Sequence, residues 1–322
     1  MRFSLARRAV LLGMPGLVLA SHAQAAWPER PITLVHGFGP GGNADAVARV
    51  VADALTHRLG KTVIVDARPG AAGVIATGQI ARAAPDGYTL GYLVGAHAIA
   101  PAINKSLPYD PLTGFSFIGM AAEYPFVLLT YPDHAVRDLA DFVRLARERR
   151  EPFTYGSAGV GSTQHLAMEL FCAQARITMQ HVPYRVFTQA ALDLAAKRID
   201  FTVEAPSSNL AGMQRGNPRP VAVTSATRFT QLPDVPAMAE AVPGYEVTTW
   251  SGIAGPAGLP TEIVTRLNTE LRAALTDPAV IQRIIALGND VAPSTPEFFR
   301  DRVARDIEKW AQVVTAADIE RM

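Results

Sequence analysis

Cysteine, aromatic residues and charge are all scarce in this sequence, and each shortage narrows the class of protein. Cys172 is the single cysteine among 322 residues, so an intramolecular disulfide is impossible. Aromatic residues make up 7% of the chain, a share that favours an α/β protein over an all-β one. Charged residues make up 18%, with 30 basic against 29 acidic, and this near-neutral balance argues against a nucleic-acid partner.

The first 25 residues are predicted to be a signal peptide. Residues 2–8 carry three arginines and no acid, residues 9–20 are mostly apolar, and residues 23–25 read Ala-Gln-Ala, a small-x-small cleavage motif. An apolar stretch of about 12 residues is too short for a membrane anchor, since a spanning helix needs roughly 20. We therefore predict cleavage before Ala26 and a periplasmic protein.

The adjacent Arg7 and Arg8 leave two export routes open, the general secretory route and the twin-arginine route, which exports folded, cofactor-loaded proteins. No cysteine lies near the cleavage motif, so a lipid anchor is not expected. Beyond residue 25 no apolar run approaches 18 residues, the length that indicates a transmembrane helix.

Short apolar runs alternate with helical stripes in the N-terminal third, an order that predicts a parallel, doubly wound sheet. The predicted strands are residues 32–35, 62–65 and 88–94, and the predicted helices start near Asn43 or Asp45 and at residue 74. Residues 101–114 contain several prolines and are predicted to be a connection.

Strands predicted at residues 117–122 and 126–131 are separated by Glu123-Tyr124-Pro125, where we place the crossing into a second lobe. The α/β alternation then repeats up to residue 224, and three helices with capping signals follow. The predicted division is a signal peptide over residues 1–25, a first lobe over 26–123 and 226–322, and a second lobe over 124–225.

Three glycine-rich segments, residues 37–42, 70–73 and 156–162, each lie between a predicted strand and a predicted helix. The first turn of a helix has unpaired N–H groups and about half a positive charge, and glycine lets that backbone approach an anion closely. Two such loops at one cleft predict a site for a small anion that needs no cationic side chain. The alternative is that each segment is only a tight turn.

The first of these segments also fits the dinucleotide fingerprint G-x-G-x-x-G, through Gly37, Gly39 and Gly42, with Asp66 where a ribose-binding acid would follow. Pro40 removes one N–H group that would face a phosphate, and no catalytic constellation accompanies the motif. An exported dinucleotide-binding oxidoreductase therefore remains the alternative to a binding protein without catalytic activity.

The sequence contains no clear signature of a metal site or of a hydrolase. The seven histidines have neither H-x-H nor H-E-x-x-H spacing, and Ser157 lies in Gly-Ser-Ala-Gly rather than in G-x-S-x-G. His165 either contacts ligand or bonds the loop backbone, and Glu204 either faces the cleft or is an ordinary surface carboxylate. Trp250 is expected in the core or in the cleft wall. We predict no catalytic residue, metal or cofactor.

Ten segments in order resemble the Bug-type periplasmic receptors of tripartite tricarboxylate transporters, the TctC-like family. They are residues 27–32, 38–42, 68–73, 85–90, 107–111, 161–166, 181–184, 222–225, 232–236 and 255–260. The resemblance implies a type II periplasmic-binding-protein fold, with two doubly wound α/β lobes and a ligand cleft between them. It implies that the protein captures a small carboxylate and delivers it to membrane permease subunits. The alternative role is that of a ligand receptor for a sensor kinase. We expect a monomer.

The resemblance and the glycine segments together predict the ligand-binding residues. They are Phe38, Gly39, Gly41, Gly42, Asn43, Asp45, His97, Ser157, Gly159, Gly161, Ser162, Thr163, His165, Phe187 and Glu204. Phe187 lies where the family commonly has a small, glycine-containing turn. An aromatic side chain there and the carboxylate of Glu204 favour a mono- or dicarboxylate with an apolar body over a compact tricarboxylate. The alternative is that Phe187 turns into the lobe core.

Overall fold

The computed structural model describes residues 27–184 and 187–321. The predicted signal peptide lies outside the described residues, and so does the side chain of Phe187. The described chain forms two sheets with helices packed on both. No helix within these ranges is long and apolar enough to cross a bilayer.

The first sheet has six strands from both ends of the described chain. They are β1 (Ile32–His36), β2 (Val63–Ala67), β3 (Thr89–Val94), β4 (Phe115–Pro125), β10 (Thr248–Pro256) and β11 (Asp290–Val291). Their spatial order is β11-β4-β10-β3-β1-β2. β1 pairs in parallel with β2 and β3, as the sequence pattern predicts, whereas β10 runs antiparallel to both β3 and β4.

The second sheet has five strands from the middle of the chain. They are β5 (Val127–Thr130), β6 (Phe153–Ser157), β7 (Met179–Pro183), β8 (Phe201–Glu204) and β9 (Arg219–Val223), in the order β7-β6-β8-β5-β9. β6 pairs in parallel with β7 and β8, and β5 runs antiparallel to β8 and β9. Loops that follow parallel strands collect at one edge of a sheet, which is the usual place for a ligand.

Helices cover both sheets. The first sheet contacts α1 (Asn43–Leu59), α2 (Val74–Ala81), α3 (Ala96–Ile103), α8 (Thr261–Ala274), α9 (Pro278–Ala286) and α10 (Pro296–Ala316). The second sheet contacts α4 (Leu139–Glu148), α5 (Thr163–Ala175), α6 (Phe187–Ala195) and α7 (Leu210–Gln214). α10 packs on α3 and β4 and also touches α5, so this helix connects the two layers.

Helix α1 follows the sequence pattern closely. The structure buries the whole predicted stripe, Val47, Val50, Val51, Ala54 and Leu55. The helix ends at Gly60, whose left-handed φ of +68° lets its N–H bond the carbonyl of Thr56. It begins at Asn43, one of the two predicted starts, and Gly42 is its N-cap.

The prediction of a connection from residue 101 onward is wrong for its first residues, which continue helix α3. Pro101 lies in the second half of this short helix, where it removes only the N–H that would bond the carbonyl of His97. Ile99, Ala102 and Ile103 are buried in the core on either side of it. Because α3 packs against α10 and β3, burial of its apolar surface offsets the lost hydrogen bond.

Strand β4 is longer than the sequence predicts. The expected break at Glu123-Tyr124-Pro125 is absent, because these residues pair with Trp250, Thr249 and Thr248 of β10. Phe126 alone separates β4 from β5. The chain therefore passes from the first sheet to the second as one nearly continuous extended segment.

Three segments that connect the sheets meet at Phe126, Thr224 and Val247, all of which are buried. The N–H of Thr224 donates to the carbonyl of Phe126 at 2.9 Å, and the N–H of Val247 donates to the carbonyl of Thr224 at 2.7 Å. Thr224 Oγ1 accepts the N–H of Phe126 at 2.8 Å and donates to the carbonyl of Val247 at 2.6 Å. One hydroxyl therefore joins the connecting segments on either side of it.

Replacing Thr224 by Val keeps the shape of the side chain but leaves the N–H of Phe126 and the carbonyl of Val247 without their partner. We expect the free energy of unfolding, measured by urea denaturation, to fall by about 2–4 kcal/mol, since an unpaired buried group costs roughly 1–3 kcal/mol. Thr224→Ser is the matched control, which keeps the hydroxyl and loses about 1 kcal/mol for one methyl group. Equal losses in the two variants would contradict this role of the hydroxyl.

Candidate functional site

A cavity of about 860 Å³ lies where loops from the two sheets meet. Its lining residues are Phe38, Gly39, Pro40, Gly42, Asn43, Ala44, Ala72, Val74, Val94, Ala96, Ile99, Ala100, Ile103, Asn104, Tyr124, Phe126, Ala158, Val160, Gly161, Ser162, Thr163, Gln164, Thr249, Trp250 and Ser251. Among the described residues that line it, none is Asp, Glu, Lys, Arg or His. An ionised ligand here meets backbone dipoles, hydroxyls and amides instead of a counter-ion.

Two residues at the start of α1, Asn43 and Ala44, line this cavity. Gly42 is the N-cap and has no side chain to bond them, so the N–H groups of Asn43 and Ala44 have no acceptor within the described chain. Gly41 turns the loop with a left-handed φ of +79°, and its own N–H donates to Asp45 Oδ2 at 3.0 Å. The loop therefore uses the Gly41 and Gly42 amides internally and leaves those of Asn43 and Ala44 open.

Asp45 is a buried carboxylate whose charge is compensated by its neighbours. Arg49 donates to both carboxylate oxygens at 2.9 Å. His36 Nε2 lies 3.0 Å from Oδ1, and the Gly41 N–H bonds Oδ2. The bonds from Arg49 outweigh burial and, with the other two, lower the pKa of Asp45 to about 2. Because Arg49 balances the negative charge of Asp45, that carboxylate does not cancel the partial positive charge at the N-terminus of α1.

The start of α5 has the same arrangement. Ser162 is the N-cap and its Oγ accepts the N–H of His165 at 3.3 Å. Thr163 and Gln164 lie on the cavity wall, and their N–H groups have no acceptor in the described part of the chain. The N–H of Gly161 donates to His165 Nδ1 at 3.2 Å. Here too the glycine amide is used within the loop, and the two helical amides remain open.

Ser157 supports this second loop from below. Its Oγ accepts the N–H of Gly159 at 3.1 Å and lies 2.6 Å from His181 Nε2. The hydroxyl of Ser162 approaches the same oxygen at 3.4 Å. Because Ser157 is fully buried, its hydroxyl shapes the loop and does not face the cavity.

The loop after β6 touches helix α3 across the cavity. A Cβ built on Gly161 would lie 3.1 Å from Ile103 Cδ1, and the φ of +75° at Gly161 disfavours any side chain there. Ile103 belongs to the layer of the first sheet, and Gly161 belongs to the layer of the second. A ligand held at both helix starts is therefore enclosed by residues of both layers.

The structure divides the predicted site residues into three groups. Those on the cavity wall are Phe38, Gly39, Gly42, Asn43, Gly161, Ser162 and Thr163. Those that lie behind it and bond the two loops are Gly41, Asp45, Ser157, Gly159 and His165. The other three are His97 and Glu204, which lie away from the wall, and Phe187, whose side chain is outside the described part of the structure. The Asn43 side chain exchanges two hydrogen bonds with Asn289, so Asn43 offers its backbone to the cavity.

His97 is the second residue of α3, and its side chain is held in the core. Its ring stacks on Tyr109 at 5.8 Å and meets the edge of Phe115 at 5.1 Å. Nε2 lies 2.8 Å from the carbonyl of Pro111, which can only accept, so Nε2 carries the proton. Burial lowers the pKa of His97 to about 4. The aromatic packing of α3, which the sequence did not predict as a helix, takes this side chain out of the cavity.

Glu204 is buried at the end of β8. Its carboxylate accepts hydrogen bonds from Thr202 Oγ1 at 3.0 Å and from Ser208 Oγ at 2.5 Å. Burial raises its pKa, while these two bonds oppose the rise. The strand end points this side chain at the following turn, so Glu204 is neither a surface carboxylate nor part of the cavity wall.

Much of the apolar lining of the cavity was not predicted from the sequence. Ile99, Ala100 and Ile103 line it from α3, and Tyr124 and Phe126 line it from the crossing segment. The proline in α3 hid the helix, and therefore hid the face that it turns to the cavity. The crossing itself was a usable signal, because segments that join two layers necessarily border the space between them.

The second glycine segment packs directly against the first loop. A Cβ built on Gly37 would lie 2.3 Å from Gly73 Cα, so these two backbones pack directly on each other. Phe38 lies over Gly73, and Ala72 reaches the cavity wall. The glycine at 37 is thus explained by loop packing, which removes the main support for a dinucleotide fingerprint.

Asp45→Asn tests the compensated carboxylate. Because the folded-state pKa of Asp45 is lowered, its ionisation stabilises the protein above about pH 4, and this stabilisation is lost as the pH falls through about 2. We expect the variant to unfold with about 2 kcal/mol less free energy near neutral pH and the gap to narrow in acid. Asp86→Asn, which breaks an exposed pair with Arg30, is the control and should cost less than about 1 kcal/mol. A gap independent of pH would argue against the proposed charge compensation.

The two-sheet architecture has close counterparts among solved structures. The periplasmic binding protein BugD matches with a TM-score of 0.79 and 31% identity, covering 92% of this chain and 100% of that one. An R. palustris protein solved with adipate matches with a TM-score of 0.81 and 33% identity, with the same coverage. MatC from Rhodopseudomonas palustris, solved with bound malate, matches with a TM-score of 0.76 and 28% identity over 89% of this chain and 100% of its own. These matches confirm the predicted fold class.

The sequence comparisons agree with the structural ones. The UPF0065 protein in the tcbD-tcbE intergenic region of Pseudomonas sp. is 35% identical over 317 residues, 97% of this chain and 94% of its own. Protein BugT of Bordetella pertussis is 32% identical over 313 residues, 94% of this chain and 96% of its own. The family model for the tripartite tricarboxylate transporter family receptor matches residues 47–319. The chain therefore belongs to this receptor family, whose members are periplasmic solute-binding proteins and not enzymes.

Proposed function

We propose that the protein captures a small carboxylate in the cavity and delivers it to the membrane permease subunits of a tripartite transporter. The observation that carries the proposal is that α1 and α5 both begin on one cavity whose described lining has no charged side chain, and that their first-turn amides have no acceptor in the described chain. Such amides attract an anion by hydrogen bonding and by the helix dipole.

The free amides are sufficient in number for useful affinity. Asn43 and Ala44 offer two N–H groups, and Thr163 and Gln164 offer two more. Charge-assisted hydrogen bonds contribute roughly 1.5–3 kcal/mol each, and a micromolar affinity needs about −8 kcal/mol after the cost of association. The adipate and malate in the related structures support a carboxylate as the ligand.

The rest of the wall suits an apolar ligand body. Ile99, Ile103 and Val74 line the cavity beside Phe38. Val160, in the loop after β6, also lines it, and 50% of its surface is exposed. Apolar surface of this kind is buried favourably by hydrocarbon and gains nothing from further carboxylates. We therefore assign the ligand an aliphatic or aromatic body with one or two carboxylates.

Transport requires that the ligand be enclosed and then presented at the membrane. We propose that residues 26–123 with 226–322 and residues 124–225 act as two lobes that close around the ligand, in a monomeric receptor. We also propose that export removes residues 1–25 and releases the receptor into the periplasm. The contact of Gly161 with Ile103 supports closure, because it brings the two layers together over the cavity.

A proline at position 163 tests the amides directly. Proline is tolerated at the first position of a helix, and Ser162, with φ −66° and ψ 155°, already has the conformation that precedes proline. Thr163→Pro therefore removes one N–H with little change in the melting temperature. We expect calorimetry to show affinity for adipate or hexanoate reduced at least about tenfold. Thr163→Ala keeps the N–H and should lose less, and equal affinities in wild type and Thr163→Pro would exclude this amide from the site.

A ligand panel tests the chemical class. Bound ligand raises the melting temperature in proportion to RT ln(1 + [L]/Kd), so we expect shifts with adipate, hexanoate or benzoate that exceed the shift with citrate. Val160→Thr, which has the same shape, should weaken hexanoate about threefold to fivefold by replacing one methyl group with a hydroxyl. Strong stabilisation by citrate, with none by the other three acids, would overturn the apolar assignment.

A further inference from the structure

The two helices that open on the cavity start with the same hydrogen bond. In each, the third helical residue reaches back and accepts the N–H of a glycine four positions earlier, from Gly41 to Asp45 at 3.0 Å and from Gly161 to His165 at 3.2 Å. Both glycines are left-handed, with φ of +79° and +75°. The acceptor is a carboxylate in α1 and an imidazole in α5. We call each pairing a clasp.

The clasp on α5 fixes the tautomer of His165. An amide N–H can only donate, so His165 Nδ1 must be unprotonated and the ring proton lies on Nε2. Nε2 lies 3.6 Å from Glu169 Oε1, on the next turn of the same helix. Burial lowers the pKa of His165 to about 4, so the ring is neutral at neutral pH. The acceptor atom is therefore present under ordinary conditions.

The plane of the His165 ring is held by a stack of rings from the neighbouring strands. His181 of β7 lies 3.9 Å away, centroid to centroid, at an angle of 18°. Tyr155 of β6 also stacks on His181 at 5.0 Å, and its hydroxyl donates to Glu169 at 2.9 Å. Glu169 and the stack together leave Nδ1 directed at the glycine loop.

Charge explains why the two clasps use different acceptors. The carboxylate of Asp45 is matched by two bonds from Arg49. The ionisable side chains that the structure places against His165 are Glu169 and the neutral His181, and neither is a cation. A carboxylate at position 165 would therefore be an uncompensated anion at the helix end that the ligand needs.

We infer that His165 is a positioning residue whose neutral ring holds Gly161, and so keeps the amides of Thr163 and Gln164 open, without adding a negative charge beside the ligand. The inference rests on the proposed function for its effect on affinity. The clasp itself is a property of the ligand-free protein and is measured separately.

Three substitutions at position 165 distinguish the effect of the hydrogen-bond acceptor from the effect of a negative charge. His165→Leu removes the acceptor, His165→Asn supplies a neutral oxygen where Nδ1 stood, and His165→Asp supplies a charged one. NMR hydrogen exchange reports protection of the Gly161 amide without ligand, and calorimetry near neutral pH reports affinity for adipate. We expect His165→Leu to lose protection of the Gly161 amide and to bind adipate about tenfold more weakly than wild type. His165→Asn should restore both the protection and the affinity to within about threefold of wild type. His165→Asp should restore the protection but still bind adipate at least about tenfold more weakly.

Unchanged Gly161 protection and adipate affinity in His165→Leu would show that the ring holds nothing that binding needs. A folded His165→Asn that fails as badly as His165→Leu would show that ring packing, not the acceptor, matters. Equal affinity in the Asn and Asp variants would overturn the role of neutrality. If wild type bound none of adipate, hexanoate, benzoate and citrate, the proposed function would fail, while exchange at Gly161 would still decide the clasp.

Discussion

The first amides of a helix have no partner within the helix, and they are costly to enclose unless something accepts them. Here α1 and α5 both begin at one cavity, with Asn43 and Ala44 on one side and Thr163 and Gln164 on the other. Cavity shape, loop geometry and the compensation of nearby charge all serve to leave these groups open. Under the proposed function, an anion would complete the hydrogen bonding that the fold leaves incomplete.

Keeping amides open requires that the loops before them be rigid. Each loop achieves this by using its left-handed glycine amide internally, in a bond to Asp45 or to His165. Gly37 adds a second constraint by packing on Gly73. The glycines therefore act mainly as sites of tight turning and close approach, and the amides that we propose as ligand donors belong to the residues that follow them. This differs from the simple picture in which glycine amides face the anion.

The local patterns predicted a large part of the fold. The apolar stripe of α1 and the parallel pairing of β1 with β2 and β3 follow from spacing and residue type within short segments. The failures have a common physical origin. Pro101 suggests the end of a helix locally, yet packing on α10 keeps α3 helical, and pairing with β10 extends β4 through the expected break.

The sequence by itself determined that the chain has an α/β fold, that two glycine-rich loops precede helix starts, and that such starts suit a carboxylate. Each of these depends on neighbours along the chain. Only the tertiary structure decided which side chains reach the cavity. His97 turns into an aromatic cluster, Glu204 bonds Ser208, and Ile103 reaches the cavity beside Gly161. The direction of a side chain is set by the segments packed against it, and those segments lie far away in the sequence.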